Sequence, residues 1–511
     1  MLKLNFFMKK YLLTLFASLI LNATSAQNLP VSLTPFAPSS PRINGPAVFG
    51  VRPGSPVIYN IPATGIRPIK FEIENLPKEL TVDVATGMIT GTLKARGEYA
   101  LTLKATNQFG SAQKKFSIIV GDRIALTPPM GWSSWNAFGE TITQEKIEQT
   151  ARAMVKSGLS QHGFAYINMD DGWQGKRAGK YMGLQGNEKF PNMGALVDTI
   201  HKLGLKAGIY STPWETSYAK FAGGSAETTT GEWKKAGNKF GAISFAKNDA
   251  MQWAAWGIDY LKYDWPIDVI HTEEMSKALH ANKRDIVFSL SNSGKIADAE
   301  AYGKLAESWR TTGDIYDSWQ QGEAFWHFSV SEIGFSQDKW APYAAPGHWN
   351  DPDMLVVGQL GWGPKIKPTR LTADEQYSHI SLWCMLSAPL ILGCDLDKLD
   401  DFTIGLLTND EVLDINQDKL GKQAIRTGSN GPIDFFLKPL FDGAFALAAF
   451  NRGDVAKTTT LNKVSFFGVS GKITRMRDLW RQQDIAEFNI DKSTLTIPPH
   501  GVILLKVWAS N

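Results

Sequence analysis

The stretch of sequence that decides the fold is residues 249–264, DAMQWAAWGIDYLKYD. Its first half predicts a helix, Gly257 ends that helix, and Ile258–Tyr263 predicts a strand. The same order of helix, glycine and strand recurs from about Thr127 onwards, with further strands predicted at Phe164–Met169, Leu205–Tyr210, Ile286–Leu290, Glu307–Thr311 and Trp349–Val356. This repetition predicts a parallel sheet closed into a (β/α)8 barrel, a TIM barrel. An open doubly wound sheet is the alternative, although no strand is followed by the Gly-x-Gly-x-x-Gly motif of dinucleotide-binding folds.

The first long helix of this region has its own start and stop signals. Thr141 and Gln144 match the Thr-x-x-Gln pattern of a capping box, which predicts that the helix begins there. Gly158 ends it. The apolar face of this helix is predicted at Ile147, Ala151, Met154 and Val155.

The barrel, assigned to residues 122–420, is flanked by two regions of β character. Residues 28–121 contain short alternating runs separated by turn signals, which predict an immunoglobulin-like β-sandwich serving as a spacer or, alternatively, as a sugar-binding module. Residues 421–511 predict a C-terminal antiparallel β-sandwich. Its strands are predicted at Phe435–Leu437, Ala444–Phe450, Thr458–Val464, Ile473–Asp478 and Leu495–Val507.

Residues 1–26 have the features of a secretory signal peptide. A basic start that ends at Lys10 precedes an apolar run, and small residues follow up to Ala26. We therefore expect cleavage near Ala26 and a secreted or periplasmic protein. No later segment has about 20 uninterrupted apolar residues, so we expect no membrane association after cleavage.

Charge and cysteine content exclude several classes of function. The 511 residues include 53 Lys and Arg against 50 Asp and Glu, and this near-neutral balance gives no electrostatic basis for binding nucleic acid. The only cysteines, Cys384 and Cys394, predict buried free thiols, with a bridge between them left open. There is no His-Glu-x-x-His motif, and only His348 among the eight histidines adjoins an acidic motif. These features argue against metal-dependent catalysis, and we predict no metal site.

Acidic residues occur where the predicted strands end. Asp170 and Asp171 follow one strand and Asp264 another, and Asp314 and Asp353 lie in segments farther along the chain. Because the carboxyl ends of barrel strands share one face, these carboxyl groups are expected to converge on a single pocket.

Two pairs of opposite charge lie at this edge. Lys262 and Asp264 are two residues apart on a strand and therefore point to the same side, so we expect Lys262 to keep Asp264 ionised as a candidate nucleophile. Arg310 precedes Asp314, a candidate proton donor. Two carboxyl groups across a sugar ring hydrolyse a glycosidic bond with retention or inversion according to their separation, which sequence spacing does not give. Structural salt bridges that line a barrel are the alternative.

Seven motifs in one order carry a resemblance to a known family. They are PMGWSSWN at 129–136, NMDDGW at 168–173, GIY at 208–210, LKYD at 261–264, WR at 309–310, WNDPDML at 349–355 and NQD at 416–418. This set resembles glycoside hydrolase family 27, which contains α-galactosidases and α-N-acetylgalactosaminidases. The N-terminal region resembles the immunoglobulin-like domain often placed before bacterial glycosidases.

The resemblance implies that the protein is an exo-acting α-galactosidase that needs no cofactor. It also implies a double-displacement mechanism that retains the configuration of the sugar. It implies that Asp264 is the nucleophile and Asp314 the general acid/base. The residues implied to bind the sugar are Trp135, Asp170, Asp171, Tyr210, Lys262, Ser291, Arg310 and Asp353. The expected partner is a carbohydrate, an α-galactoside, and the oligomeric state stays open.

One departure from the family pattern keeps other activities open. Animal-type relatives place a Glu and a bulky residue near the C2 atom of the sugar, and the nearest equivalents here are Ser291 and Gly294. Small residues at this place resemble the form that admits an N-acetyl group. α-N-Acetylgalactosaminidase is therefore the first alternative, followed by β-L-arabinopyranosidase and by a non-catalytic barrel that only binds galactosides.

Overall fold

Eight parallel strands form the centre of the structure, a computed structural model that describes residues 31–320, 327–461, 472–486 and 494–510. The predicted signal peptide, residues 1–26, lies outside the described residues. The strands are β1 (Met130–Ser133), β2 (Tyr166–Asn168), β3 (Lys206–Ser211), β4 (Tyr260–Asp264), β5 (Val287–Ser291), β6 (Ser308–Arg310), β7 (Trp349–Asp351) and β8 (Leu390–Leu392). Strands β1 to β7 pair in chain order, and β8 pairs with β1.

The ring closes between β8 and the segment that follows β7. The Leu355 backbone N–H donates to the Ile391 carbonyl at 2.8 Å, and the Gly393 N–H donates to the Leu355 carbonyl at 3.1 Å. This parallel bridge joins β8 to the segment that continues β7, so the open doubly wound alternative is excluded. The predicted (β/α)8 barrel is confirmed.

Helices separate the barrel strands and pack against them through a continuous apolar core. They are α1 (Trp135–Phe138), α2 (Gln144–Lys156), α3 (Met193–Lys202), α4 (Ala246–Trp256), α5 (Val269–His280), α6 (Ala299–Leu305), α7 (Val330–Gly334), α8 (Ala373–Met385), α9 (Asp401–Leu407) and α10 (Asp410–Asn416). Short 3-10 helices occur at Gly139–Thr141, Leu159–His162, Ile296–Asp298, Asp338–Tyr343 and Leu396–Lys398. Short strand pairs in the loops are Gln174–Ala178 with Gly183–Gly186, Ser225–Ala226 with Ile243–Ser244, Asp314–Ile315 with His327–Phe328, and Gln359–Leu360 with Lys367–Pro368.

The predicted capping box at Thr141 is wrong. The N-cap of α2 is Thr143, whose side chain accepts a hydrogen bond from the Lys146 backbone N–H. Gln144 is already the first helical residue, whereas the Thr141 hydroxyl donates to the Phe138 carbonyl in the preceding turn. Two threonines two residues apart both have a capping side chain, and the preceding 3-10 turn uses the first of them.

The N-terminal region is a sandwich of short strands, which confirms the immunoglobulin-like prediction. One sheet has the order Val48–Val51, Gly110–Val120, Gly97–Asn107 and Lys70–Glu74, and a second has the order Pro56–Asn60, Met88–Thr92 and Leu80–Val82. Arg42–Ile43 pairs with Ala63–Thr64. The core of this domain is separate from that of the barrel. Arg52 connects the two, because its backbone N–H and its Nε donate to the Asp285 carboxylate, just before β5, at 2.9 and 2.6 Å.

The C-terminal region is antiparallel, which confirms the predicted sandwich. Its main sheet has the order Ile425–Asn430, Ile433–Pro439, Phe445–Asn451, Val502–Ala509, Ile473–Asp478 and Gln483–Asp484. Lys457–Thr460 pairs with Thr494–Ile497. The single predicted strand Leu495–Val507 is therefore wrong. It is two strands in different sheets, because Pro498 and Pro499 have no backbone N–H to continue a ladder. Residues 462–464 of the predicted strand Thr458–Val464 lie outside the described residues.

Cys384 and Cys394 are both buried and unbridged, as the main prediction for them required. Within the described ranges, no helix has the length and apolar character needed to cross a membrane.

Candidate active site

A cavity of about 360 Å³ lies at the carboxyl ends of the barrel strands. Every predicted catalytic or sugar-binding residue except Ser291 lines it: Trp135, Asp170, Asp171, Tyr210, Lys262, Asp264, Arg310, Asp314 and Asp353. A smaller cavity of about 30 Å³ continues inwards between the strands and is lined by Ser291 together with four of the same residues. The structure thus brings together side chains that are up to 218 positions apart in the sequence.

Asp264 ends β4 and is buried, with 7% of its surface exposed. Its pKa is raised to about 7, chiefly by burial and in part by the carboxylates of Asp314 and Asp170, although the Lys262 ammonium lowers it. The Asn292 side-chain amide donates to Asp264 Oδ1 at 3.1 Å. Lys262 thus favours the ionised form of Asp264, as expected, but it does not keep this carboxyl group ionised at low pH, because desolvation outweighs the ammonium.

Lys262 forms its ion pair with Asp170, which follows a different strand, β2. Its Nζ lies 2.8 Å from Asp170 Oδ2 at the end of β2. The Ser133 hydroxyl donates to the same oxygen at 3.0 Å, and the Asp171 backbone N–H donates to the other at 2.9 Å. Although burial lowers the pKa of Lys262, Asp170 and then Asp264 raise it above its ordinary value, so the ammonium stays charged. Asp170 is thereby held in one rotamer, with fixed orientation towards the cavity.

Asp171 is held by two neutral donors. The Gln174 amide donates to Oδ1 at 2.9 Å, and the Ala219 backbone N–H donates to Oδ2 at 2.8 Å. Burial raises the pKa of Asp171 to about 6 despite these hydrogen bonds. The Ala219 contact also ties the long loop after β3 to the floor of the cavity.

Arg310, the last residue of β6, joins two carboxylates. Its Nη2 lies 3.1 Å from Asp314 Oδ1 and 2.9 Å from Asp353 Oδ2. Asp353 has a backbone φ of +83°, and its carboxylate accepts hydrogen bonds from the Ile315 and Met354 backbone N–H groups. Asp314 differs from the other acids because 60% of its side chain is exposed. The cavity therefore has one buried carboxyl group on β4 and one solvent-accessible carboxyl group beyond β6.

Two aromatic residues complete the predicted set. Trp135 begins α1, directly after β1, and Tyr210 lies next to Lys262 in the β3–β4 register. Burial, and then the charge of Asp264, raise the pKa of Tyr210 well above its ordinary value, so its hydroxyl stays protonated.

Ser291 and Gly294, predicted to lie near the sugar, do not line the larger cavity. Ser291 pairs with Asp264 in the register of β4 and β5 and lines the inner cavity, and the Gly294 backbone N–H donates to the Arg310 carbonyl. Asn292 occupies the wall between them. Sequence reasoning missed this residue, since the loop after β5 has no periodic pattern from which side-chain direction follows.

Sequence reasoning also missed four aromatic residues of the wall, which come from loops. They are Tyr218, Tyr316, His327 and Trp362. Within the described ranges, no group of three or more His, Cys, Asp or Glu side chains is arranged to hold a metal ion.

Comparison with known proteins matches all three regions of the chain. A family model described as alpha galactosidase A matches residues 127–418, and one described as the alpha galactosidase C-terminal beta sandwich domain matches residues 430–507. An Ig domain model matches residues 40–121. Alpha-galactosidase 2 of Arabidopsis thaliana is 36% identical over 410 residues, covering 79% of this chain and 94% of its own length. Alpha-galactosidase A of Cellvibrio japonicus is 36% identical over 407 residues, covering 76% and 93%.

Solved structures agree with these matches. A structure from Bacteroides fragilis is 36% identical and covers 92% of this chain and 98% of its own, with a TM-score of 0.83. Alpha-galactosidase I of Mortierella vinacea is 31% identical and covers 76% and 98%, with a TM-score of 0.65.

Proposed function

Because the chain belongs to glycoside hydrolase family 27, we propose that this glycoside hydrolase is an exo-acting α-galactosidase that works with retention of configuration. The observation that carries the proposal is that Asp264 and Asp314 line one cavity with opposite exposure, one buried and one open to solvent. Double displacement needs such a division of roles, with one group held against the sugar and one exchanging protons with leaving group and water.

In the first step, the Asp264 carboxylate attacks the anomeric carbon while Asp314 gives its proton to the leaving oxygen. The Asn292 amide, which donates to Asp264 Oδ1, leaves Oδ2 as the oxygen for attack. In the second step, Asp314 takes a proton from a water molecule whose oxygen attacks the anomeric carbon, and the bond between that carbon and the Asp264 oxygen breaks, which releases the sugar and restores the Asp264 carboxylate. Arg310 Nη2, 3.1 Å from Asp314 Oδ1, orients this carboxyl group throughout.

The preference for galactose rests on the paired charges at the floor of the cavity. The ion pair between Lys262 and Asp170 and the doubly hydrogen-bonded Asp171 present fixed charged donors and acceptors to the sugar hydroxyls. A sugar with the axial 4-hydroxyl satisfies these groups, whereas its equatorial epimer leaves buried polar groups unpaired, which costs orders of magnitude in rate.

The test is release of nitrophenol from nitrophenyl α-galactoside, with the α-N-acetylgalactosaminide and the β-L-arabinopyranoside as competitors. We expect the α-galactoside to have the highest kcat/KM and Asp264→Asn to abolish release. Asp314→Asn keeps the cavity shape and is the matched variant for the second carboxyl group. Proton NMR of the first product anomer tests retention. No release from any nitrophenyl glycoside would contradict an enzymatic role, and a β-galactose first product would contradict retention.

We also propose that residues 1–26 direct export and are removed near Ala26. N-terminal sequencing of protein recovered from the periplasm or the medium tests this. An uncut N-terminus on exported protein would contradict it.

A further inference from the structure

Three stacked rings form one wall of the cavity. The rings of His327 and Tyr316 lie 3.9 Å apart at an interplanar angle of 14°, and those of Tyr316 and Trp362 lie 4.5 Å apart at 17°. The Arg370 guanidinium lies 5.4 Å from the centre of the Tyr316 ring and is bound to Asp317, whose side chain is fully buried. None of the roles assigned to Asp264, Asp314 or the floor of the cavity uses these rings.

The register of a short strand pair places the stack beside Asp314. Asp314 pairs with His327 in a parallel bridge, and the Tyr316 backbone N–H extends the ladder by donating to the Phe328 carbonyl. Asp314 and Tyr316 are two residues apart on an extended segment, so their side chains project to the same side. Ile315, between them, points the other way and is buried. The carboxyl group and the rings therefore face the cavity together.

Trp362 is held in place by backbone contacts. Its N–H donates to the Asn136 carbonyl at 3.0 Å, which ties its loop to the helix that bears Trp135. Its backbone φ of +47° is a conformation that a tryptophan rarely adopts. Such strain persists only where the surroundings enforce it, and it clusters at functional sites.

We propose that the stack of Trp362, Tyr316 and His327 forms the subsite for the leaving group, and that the group it takes is a second sugar ring packed by its C–H face against Trp362, the ring at one end of the stack, since its two neighbours cover both faces of Tyr316. This rests on the proposed function, because Asp314 is then the proton donor to the leaving oxygen. The group attached to that oxygen must lie close to Asp314, and the stack lines the same cavity beside Asp314. Aromatic faces offer a sugar a large apolar contact with little loss of side-chain entropy.

The test compares two substrates that share the galactosyl group. α-Galactosyl fluoride releases a single atom that does not reach the stack, whereas melibiose releases glucose. We expect Trp362→Ala to lower the ratio of kcat/KM for melibiose to kcat/KM for the fluoride by about tenfold, the equivalent of about 1.4 kcal/mol of binding. Trp362→Phe keeps a ring and should restore most of the ratio. Trp233→Ala, in an exposed tryptophan outside the cavity, is the matched control and should leave the ratio unchanged.

If Trp362→Ala fails to fold, a binding measurement on a variant that keeps the three stacked rings still tests the subsite. Asp264→Asn should bind melibiose about tenfold more tightly than methyl α-galactoside in calorimetry. An equal loss on both substrates in Trp362→Ala, or equal affinity of the two ligands, would overturn the subsite. If the unmodified protein fails to hydrolyse the fluoride, the proposed function fails instead, so the two failures are distinguishable.

Discussion

Replacing Asp264 by Asn should inactivate the protein and also stabilise it, by an amount that grows as the pH rises from about 4 to about 7. In the folded state burial raises the pKa of Asp264 to about 7, whereas an unfolded Asp has a pKa of about 3.9. A carboxyl group whose folded pKa is raised costs nothing while it is protonated in both states, at low pH. As pH rises from about 4 to about 7 the unfolded chain loses this proton first, so the free energy of unfolding falls.

The size of the effect follows from those two values. A difference of about 3 pKa units corresponds to about 4 kcal/mol once the pH exceeds both values, and about 1 kcal/mol of it is already present at pH 4.5. The stabilisation by Asp264→Asn should therefore grow by about 3 kcal/mol between pH 4.5 and pH 8. For a unit of barrel size this is a difference in Tm of about 5 °C.

Differential scanning calorimetry of both proteins at the two pH values measures this difference. Asp314→Asn is the control, since a side chain that is 60% exposed keeps most of its water in the folded protein. It should reduce activity without the pH-dependent gain in Tm. If Asp264→Asn changes Tm by the same amount at pH 4.5 and pH 8, desolvation of Asp264 is not the dominant cause and the reasoning is refuted.

Three other perturbations have defined outcomes. Lys262→Met removes a positive charge about 7 Å along the strand from Asp264, and the lost attraction is worth about 2 kcal/mol. The pKa that limits kcat/KM for α-galactosyl fluoride on the acid side should therefore rise by about 1.5 pH units. An unchanged pKa would contradict an electrostatic interaction between Lys262 and Asp264. Gly131→Ala places a Cβ 2.5 Å from the Tyr166 carbonyl oxygen, and calorimetry should show a loss of about 1–3 kcal/mol, whereas an unchanged Tm would show that the strands can separate. Asp285→Ala removes the carboxylate that binds Arg52 of the N-terminal domain, so limited proteolysis between the domains should accelerate while kcat/KM on small substrates stays constant.

The barrel could be predicted because each of its units is marked locally. Glycine ends helix α4 at position 257 with a φ of +89°, and apolar strands of fixed period follow. The predictions were wrong where two neighbouring residues carry the same capping signal, and where pairing with distant strands decides how a segment is divided. Thr143 rather than Thr141 caps α2, and the strand predicted across Pro498 is divided between two sheets. Neither choice is visible in a window of ten residues, because each depends on which backbone donors find partners elsewhere.

In the candidate site, too, residues on strands could be predicted from the sequence and residues on loops could not. Side chains on strands, such as Lys262 and Asp264, have a direction that follows from alternation, and the structure places them in the cavity as expected. Asn292 and the stacked rings come from loops, whose side-chain directions depend on contacts made by other parts of the chain. The charge state of Asp264 could not be predicted either. Sequence shows which charges are neighbours, but the removal of water, which outweighs them here, follows only from burial.

One electrostatic feature underlies both the proposed catalysis and its cost in stability. Six carboxyl groups lie in and below the cavity against two cations: Asp170, Asp171, Asp264, Asp314, Asp351 and Asp353 against Lys262 and Arg310. Burial and this surplus of negative charge together raise the pKa of Asp264 to about 7 and the pKa values of Asp171 and Asp351 to about 6. In the transition state of glycoside cleavage the anomeric centre becomes positive, and it then supplies the missing cation in a site from which water has been removed. The carboxylates that repel one another in the free protein thus attract the transition state more than the neutral substrate, which is the condition for raising kcat.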